Sequence, residues 1–504
     1  MHHPERLLIM HLQRLVHSPR IPRECGREVV KISTPEEHSP YGVQGIIPCP
    51  PEALFLVGFH MRDQIVEKVK NAGVVGAGGA GFPTHVKINA EVDTVLVNGA
   101  SCEPLLMSDP YIMEHELDIM IDGLNAVLDA TGAKRGVICI KGKHGKALET
   151  IKEAVAKDTT GRLEAFELRD FYPAGDEQVL VKEVTGRTVP EAGIPLQVGV
   201  VVSNTESLYN IANAMKGIPL TERYVTVTGE VGQDMVVKVP VGTIVSDLLE
   251  FAGGTKLSDY RVVDGGPMMG RVLPDTDQPV TKVTSGLIVL DPEHNVVKGK
   301  VMDPAAIKRI TGTVCCQCTH CTELCPRNLL GHSINPHKLM RSLSAMVEDP
   351  KARMEALLCC ECGICEKFAC PMGISPREVN MLIKKELMKE GVRWPATGEE
   401  PTNHPMRDVR YVPTKRLMQR LDVLKYDTHP GMPEEAFVPE RVVIPLSQHI
   451  GAPAQCLVKE GDTVKKGDLI GEIPEGALGA RIHASIDGVV TSVEGGVVKI
   501  SRRA

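Results

Sequence analysis

Ten of the chain's 15 cysteines lie between Cys315 and Cys370, and no other feature limits the possible folds so tightly. The first group reads Cys315-Cys316-Gln-Cys318-Thr-His-Cys321-Thr-Glu-Leu-Cys325-Pro326. Within it, Cys315, Cys318, Cys321 and Cys325 have the C-x2-C-x2-C-x3-C-P spacing of iron–sulfur ligands. The second group, Cys359-Cys360-Glu-Cys362-Gly-Ile-Cys365-Glu-Lys-Phe-Ala-Cys370-Pro371, repeats this with one extra residue before its last cysteine. Thiolates are soft ligands, and three on a tight loop can seat one face of a cubane while the fourth comes from the other motif. The spacing therefore predicts two 4Fe–4S clusters. One uses Cys315, Cys318, Cys321 and Cys370; the other uses Cys359, Cys362, Cys365 and Cys325, leaving Cys316 and Cys360 spare. Zinc sites more often bring two C-x2-C pairs with no third cysteine and no closing Cys-Pro. Disulfides staple small secreted domains, so dense local groups in a chain of 504 residues point to metal and to a reducing cytoplasm.

A second strong signal is Gly76-Ala-Gly-Gly-Ala-Gly-Phe-Pro-Thr84, with Lys87 three residues on. Glycines at this density let a backbone approach a phosphate closely and offer it N–H donors.

Around these motifs the chain reads as several domains, since its length exceeds what one hydrophobic core serves. Segments 93–100, 135–142 and 197–204 read as buried strands, and 116–131 and 146–158 as helices between them. That alternation predicts a parallel sheet flanked by helices, with ligands at the strands' carboxyl ends. Residues 219–300 read as a small strand-rich module with a short helix at IVSDLLEFAGG. Helices are expected at 335–347 and 376–391, and an extended linker or wrapping segment over 393–437. From about Arg441, Gly-Asp turns punctuate short strands as in the barrel-sandwich carriers of lipoyl and biotinyl groups. The stretch 474–480, where those carriers present a modified lysine, has none here, so a structural or docking role is expected. Residues 1–60 show no sustained periodicity. Met61 is read as opening a short helix that ends at Gly73, and as the biological start, with the preceding segment an extension.

Aromatic residues are 3% of the chain and the net charge is −7, which leaves little for nucleic-acid stacking or phosphate-backbone binding. No apolar run reaches the ~18 residues of a transmembrane helix. The opening segment lacks a continuous apolar core and a small-residue cleavage site, which argues against a secretory signal. Several residues have bland readings: Cys102 as a small buried thiol, His85, His320 and His332 as polar or capping groups, Met268-Met269 as packing, and Lys465-Lys466 as a solvated turn.

The string GAGGAGFPTHVK, followed by NGASCEP (98–104), YPAGDE (172–177) and VSNTESL (202–208), resembles the flavin domain of the NADH-binding subunit of respiratory complex I and of its counterpart in the Rnf complex, the RnfC protein. The resemblance implies non-covalent FMN on Gly76, Gly78, Gly79, Gly81, Lys87, Asn98, Gly175, Asn204 and Thr205. Phe82, Glu103, Tyr172 and Glu177 would then face NADH, with Glu103 and Glu177 as catalytic groups. Where the complex I pattern has Arg after its first Gly and acidic residues after the Asn, this chain has Ala77, Ala100 and Ser101. GGPMMG (265–270) and the strand-rich region resemble the soluble-ligand-binding β-grasp (SLBB) module. The implied fold is multidomain α/β and α+β, covering Met61 to Ala504. It comprises a Rossmann-like FMN/NADH domain (61–218), an SLBB β-grasp module (219–300), a helical two-cluster ferredoxin-type domain (301–392), a linker (393–437) and a carboxyl-terminal barrel-sandwich hybrid (438–504).

RnfC proteins carry the barrel-sandwich at their amino end. The order found here, with CTELCPRNLLGH and CCECGICEKFACPMGISP, resembles the cobalamin reductases of propanediol-utilisation microcompartments. The resemblance implies an NADH-dependent oxidoreductase in which FMN converts a hydride into single electrons and the clusters carry them to cob(III/II)alamin, toward cob(I)alamin. It also implies a place inside a bacterial microcompartment, with a shell protein and a cobalamin adenosyltransferase as partners. The alternative is an RnfC-like protein passing electrons to a protein acceptor; a non-enzyme alternative is a scaffold docked by its terminal modules.

Overall fold

The computed structural model describes residues 51–343, 349–395 and 399–502, with 51–60 given by backbone alone. Strands β1 (Thr94–Gly99), β2 (Arg135–Lys141), β3 (Leu163–Leu168) and β5 (Val200–Asn204) form a parallel sheet in the order β3-β2-β1-β5; the short β4 (Phe171–Tyr172) lies outside it. β1, β2 and β5 are buried along nearly their whole length, which is why they read as continuous apolar runs. β3 is an edge strand whose Glu164 and Glu167 are exposed, and that composition hid it in the sequence. The stretch before β5, expected to be strand, is a 3-10 turn at Pro195–Val198. Helices Leu117–Thr131 and Thr205–Met215 cross closely on one face. A Cβ on Gly123 would fall 1.9 Å from the Leu208 carbonyl oxygen.

The chain moves outward from β1 to β3 and then returns to the other side of β1. The sheet order therefore reverses between β1 and β5, and their carboxyl ends carry Asn98 and Asn204, which are register partners. Such a switch point leaves a crevice above the sheet.

The β-grasp sheet has the order β7-β6-β10-β8-β9, from β6 (Glu222–Gly229), β7 (Met235–Pro240), β8 (Arg261–Asp264), β9 (Arg271–Val272) and β10 (Gly286–Leu290). Helix Val245–Phe251 closes its core, in which Leu248 packs with Val225, Val227 and Leu287. The cysteine region is built from short helices. Pro304–Val314, Pro336–Ser342 and Pro376–Lys389 bury Ile307, Leu339 and Ile383 together. The helix expected over 335–347 is seen as Pro336–Ser342, and 344–348 lie outside the described residues.

The stretch 393–437 wraps. Its β11 (Val412–Pro413) pairs antiparallel with β4, and helix Thr414–Leu421 seats Leu417, Met418 and Leu421 beside Tyr172, Ile288 and Ile364. The last domain is a sandwich. One sheet has the order β12-β18-β17-β14, from β12 (Arg441–Pro445), β14 (Thr463–Val464), β17 (Gly488–Glu494) and β18 (Val497–Ser501). The other has the order β13-β15-β16, from β13 (Gln455–Cys456), β15 (Leu469–Glu472) and β16 (Ile482–His483). The first helix runs Pro51–Asn71, so it begins ahead of Met61, where the sequence reading started it; Pro51 at its first turn is a start signal that reading passed over. The rest of the proposed extension, 1–50, lies outside the described residues.

Lys282 joins three domains. Its fully buried ammonium donates to the carbonyls of Gly73 (2.8 Å) and Arg481 (2.7 Å), while its own N–H donates to Gln448 Oε1. Burial pulls its pKa down to about 7. Lys282→Met leaves two buried carbonyls unpaired, and denaturant melts of that variant are expected to show a loss of about 1–3 kcal/mol.

Candidate functional site

The crevice at the switch point is a cavity of ≈ 420 Å³, walled by the glycine-rich loop, the ends of β1 and β5, the 172–177 loop and part of the second cysteine group. Its volume falls in the range of nucleotide and cofactor sites. The loop folds back on itself through Gly76 N–H to the Phe82 carbonyl, and Ala77 N–H donates to Ser207 Oγ (2.9 Å). Gly78 is needed for closeness, since a Cβ there would lie 3.0 Å from Asn204 Nδ2. At Gly79 a Cβ would meet no atom within 4 Å and would enter the cavity instead. Gly81 adopts φ +75° and abuts Gln448 and His449, so the barrel-sandwich braces the loop from behind.

Gly76, Gly78, Gly79, Gly81, Phe82, Lys87, Asn98, Glu103, Tyr172, Gly175, Glu177 and Asn204 all lie on the cavity wall. Thr205 does not. As the first residue of helix Thr205–Met215 it is fully buried, with its hydroxyl turned to the Asn98 carbonyl (3.4 Å). Asn98 Nδ2 donates to the Gly175 carbonyl, and Gly175 N–H is bonded to Cys102 Sγ (2.7 Å). Cys102 is a half-buried thiol on the cavity wall whose pKa is raised by desolvation. Lys87 Nζ is shared between Glu177 Oε1 and the Val202 carbonyl, both at 2.8 Å.

Two of the four residues read as facing NADH, Glu103 and Tyr172, are tied to other domains. Glu103 accepts the N–H groups of Met268 and Met269 at 2.9 Å each, and burial raises its pKa. A Cβ on Gly266 would fall 2.0 Å from that carboxylate, which is why the GGPMMG loop opens with glycines. Tyr172, 2% exposed, donates its hydroxyl to the Cys362 carbonyl at 2.7 Å. Both residues hold the cavity together as well as lining it.

Sequence reasoning missed Asp109, Glu206 and Arg223, which also face the cavity. Asp109 accepts from Asn204 Nδ2, and Glu206 accepts from Tyr224 N–H while pairing with Arg223 at 3.3 Å. The one available signal was charge inside apolar text, at RYVTVTG and NTESLYN. Asp176 and Arg327 were also passed over. Asp176 caps helix Glu177–Thr185 and takes a bidentate, buried ion pair from Arg327, two residues beyond Cys325.

The cysteines assemble as two sets. Cys321 is pushed up to about 12 by burial and by Cys315, Cys318 and Cys370 beside it, and these four line one hollow. Cys325 and Cys359 are each pushed up to about 12 by burial and by Cys360, with Cys325 also acting on Cys359. Cys365 is raised by burial, by Cys359 and by Cys325. Thiols gathered so closely, most of them buried, fit a cationic cluster that would displace their protons. Among the described residues no three side chains converge on a single ion point, and all described cysteines are free. The extra residue in the second motif is taken up by a π turn at Cys365–Ala369, which keeps Cys370 with the first set.

Residues 69–213 match the Nuo51 FMN-binding domain, 224–272 the SLBB domain, 314–375 the 4Fe-4S dicluster domain and 424–503 the RnfC barrel sandwich hybrid domain. The fold and site thus define an FMN and iron–sulfur oxidoreductase. Cobalamin reductase PduS of Salmonella typhimurium is 40% identical over 444 residues, covering 87% of this chain and 97% of that protein; the Citrobacter freundii PduS is 40% identical over 433 residues, covering 85% and 94%. The chain belongs to the PduS cobalamin reductase family. A component of the Na(+)-translocating ferredoxin:NAD(+) oxidoreductase complex of Acetobacterium woodii is 36% identical over 273 residues, 53% of this chain and 58% of that one.

Burial pushes Asp109 up to about 7, against the opposing hydrogen bond from Asn204. Between the ordinary carboxylate range and that value the folded protein keeps a proton that the unfolded chain has lost, so stability falls as pH rises through this window. Thermal melts of flavin-stripped Asp109→Asn, from about pH 5 to 7.5, are expected to show a shallower decline than the parent.

Proposed function

We propose that this chain oxidises NADH and delivers single electrons to cob(III/II)alamin, toward cob(I)alamin, through FMN and two 4Fe–4S clusters. The observation that carries the reading is the shared wall of the flavin cavity. Cys360 and Cys362 lie on it, and Tyr172 spans from the cavity to the Cys362 carbonyl. FMN supplies the exchange between paired and single electrons that a nicotinamide donor and an iron–sulfur acceptor cannot make directly.

The residues divide the remaining work. Gly76, Gly78, Gly79 and Gly81 leave the loop bare for a nucleotide, and Asn98 and Asn204 orient the surrounding loops. Lys87, paired with Glu177, sets a positive charge at the mouth, and Phe82 offers an apolar face there. Cys362, of the set with Cys325, Cys359 and Cys365, lines the flavin cavity, whereas Cys315, Cys318, Cys321 and Cys370 line a separate hollow where Cys318 is exposed. The name of the relatives supports cobalamin as the acceptor; a microcompartment interior, a shell protein and an adenosyltransferase belong to the same proposal.

Anaerobically reconstituted protein is expected to reduce cobalamin with NADH. Cys362→Ser is expected to keep FMN and NADH-driven reduction of a two-electron dye while cobalamin reduction drops to background. NADH oxidation that never reaches cobalamin, but does reduce a ferredoxin, would instead support the RnfC-like reading.

A further inference from the structure

Arg223 stands at the start of β6, in the β-grasp domain, yet it forms part of the flavin cavity wall. It is 1% exposed, and a guanidinium stays charged at that depth. Only one of its nitrogens is spoken for. Nη2 reaches the Thr284 carbonyl (3.1 Å), the Ala77 carbonyl (3.4 Å) and the Glu206 carboxylate (3.3 Å). Nε and Nη1 are buried with no partner among the described residues. A buried donor left unsatisfied is costly, and two on one charged group call for an acceptor that the protein chain does not provide.

The surroundings say what that acceptor is. The loop from Gly76 to Thr84 has no charged side chain of its own, although its bare backbone suits an anion. The other cation on the wall, Lys87, is already paired with Glu177. Arg223 touches the loop at Ala77, whose N–H in turn is held by Ser207 in the first turn of helix Thr205–Met215. A glycine loop, a helix start and a forked cation with free N–H groups therefore meet at one corner. We propose that Arg223 binds the phosphate of the flavin nucleotide there, so that the β-grasp domain decides that the cofactor is FMN and not riboflavin.

Three carboxyl groups stand near the guanidinium. Glu206 offsets its charge, Asp264 lies further along the β-grasp sheet, and Asp109, raised to about 7, can meet the anion in neutral form. The geometry of two adjacent N–H donors suits a phosphate as a single ammonium would not. The proposal rests on the reading of the cavity as a flavin site.

The test uses the full, cluster-loaded chain stripped of flavin, with binding of FMN and of riboflavin followed by flavin fluorescence. The parent is expected to prefer FMN. Arg223→Met should weaken FMN by on the order of tenfold or more and leave riboflavin within about twofold, and Arg223→Lys should fall between. Equal weakening of both flavins would assign Arg223 a merely structural role and overturn the proposal. Undiminished preference for FMN with weakened NADH binding would move the contact to the dinucleotide's pyrophosphate and also overturn it. If Arg223→Met fails to fold, the FMN-to-riboflavin ratio of Arg223→Lys decides alone. A parent chain that binds neither flavin would sink the flavin reading itself, whereas FMN binding with an unchanged ratio in the variants sinks only the role of Arg223.

Discussion

The ion pair between Arg327 and Asp176 fixes the relation on which the rest of the molecule depends. Asp176 belongs to the loop that borders the flavin cavity, and Arg327 follows directly on Cys325-Pro326. The contact is bidentate, at 2.5 and 2.9 Å, and both side chains are almost wholly buried. Removing one partner of such a pair costs about 3–5 kcal/mol, because the other charge is left stranded. Asp176 also caps helix Glu177–Thr185, so the same carboxylate organises the cavity rim and anchors the cysteine domain. Arg327 further favours the thiolate form of Cys360, after the larger effect of the Cys362 hydrogen bond. Distance between the cavity and the cysteines is thus set by charge, not by loose packing of adjacent domains.

Other contacts bind the remaining domains to the same point. Glu103 holds the Met268-Met269 backbone of the β-grasp loop, and Lys300 Nζ supports that loop from the other side through the Met268 carbonyl (3.0 Å). The stretch after Val412 adds a strand to Tyr172 and an amphipathic helix over it, which dries the region around the tyrosine hydroxyl. The barrel-sandwich, with no lysine on its 474–480 turn, packs instead behind Gly81. Three modules that elsewhere could fold as separate units here enclose one cavity, and the fourth braces its glycine-rich loop.

Much of this was legible in the sequence because its parts are local. Cysteine spacing, the glycine string and continuous apolar strands each state their geometry within a dozen residues. The partition of cysteines across the two motifs was expected from the same spacing, and Cys370 lies close enough to Cys321, and Cys325 to Cys359, for their charges to interact. What stayed hidden depends on residues far apart in the chain. Beyond the apolar text that follows Arg223, nothing in the local sequence around Arg223, Asp109 or Arg327 sets them apart from ordinary surface charges. Their burial is created by other domains, which no local pattern reports. Thr205 failed for the opposite reason: it sits in a telling motif, but the helix turns it inward while Asn204 and Glu206 face the cavity.

The π turn at Cys365–Ala369 has a consequence for the two cysteine sets as a pair. By absorbing the added residue inside one loop, it preserves a near-twofold repeat in the ligands while letting their surroundings diverge. One set, with Cys325, Cys362 and Cys365 buried, reaches the cavity through Cys362; the other includes exposed Cys318 and borders exposed Cys316. Dryness and solvent contact are strong levers on the potential of such centres. The repeat is therefore symmetric in chemistry and asymmetric in environment, and on the proposed electron path that asymmetry is what would set a direction for the current.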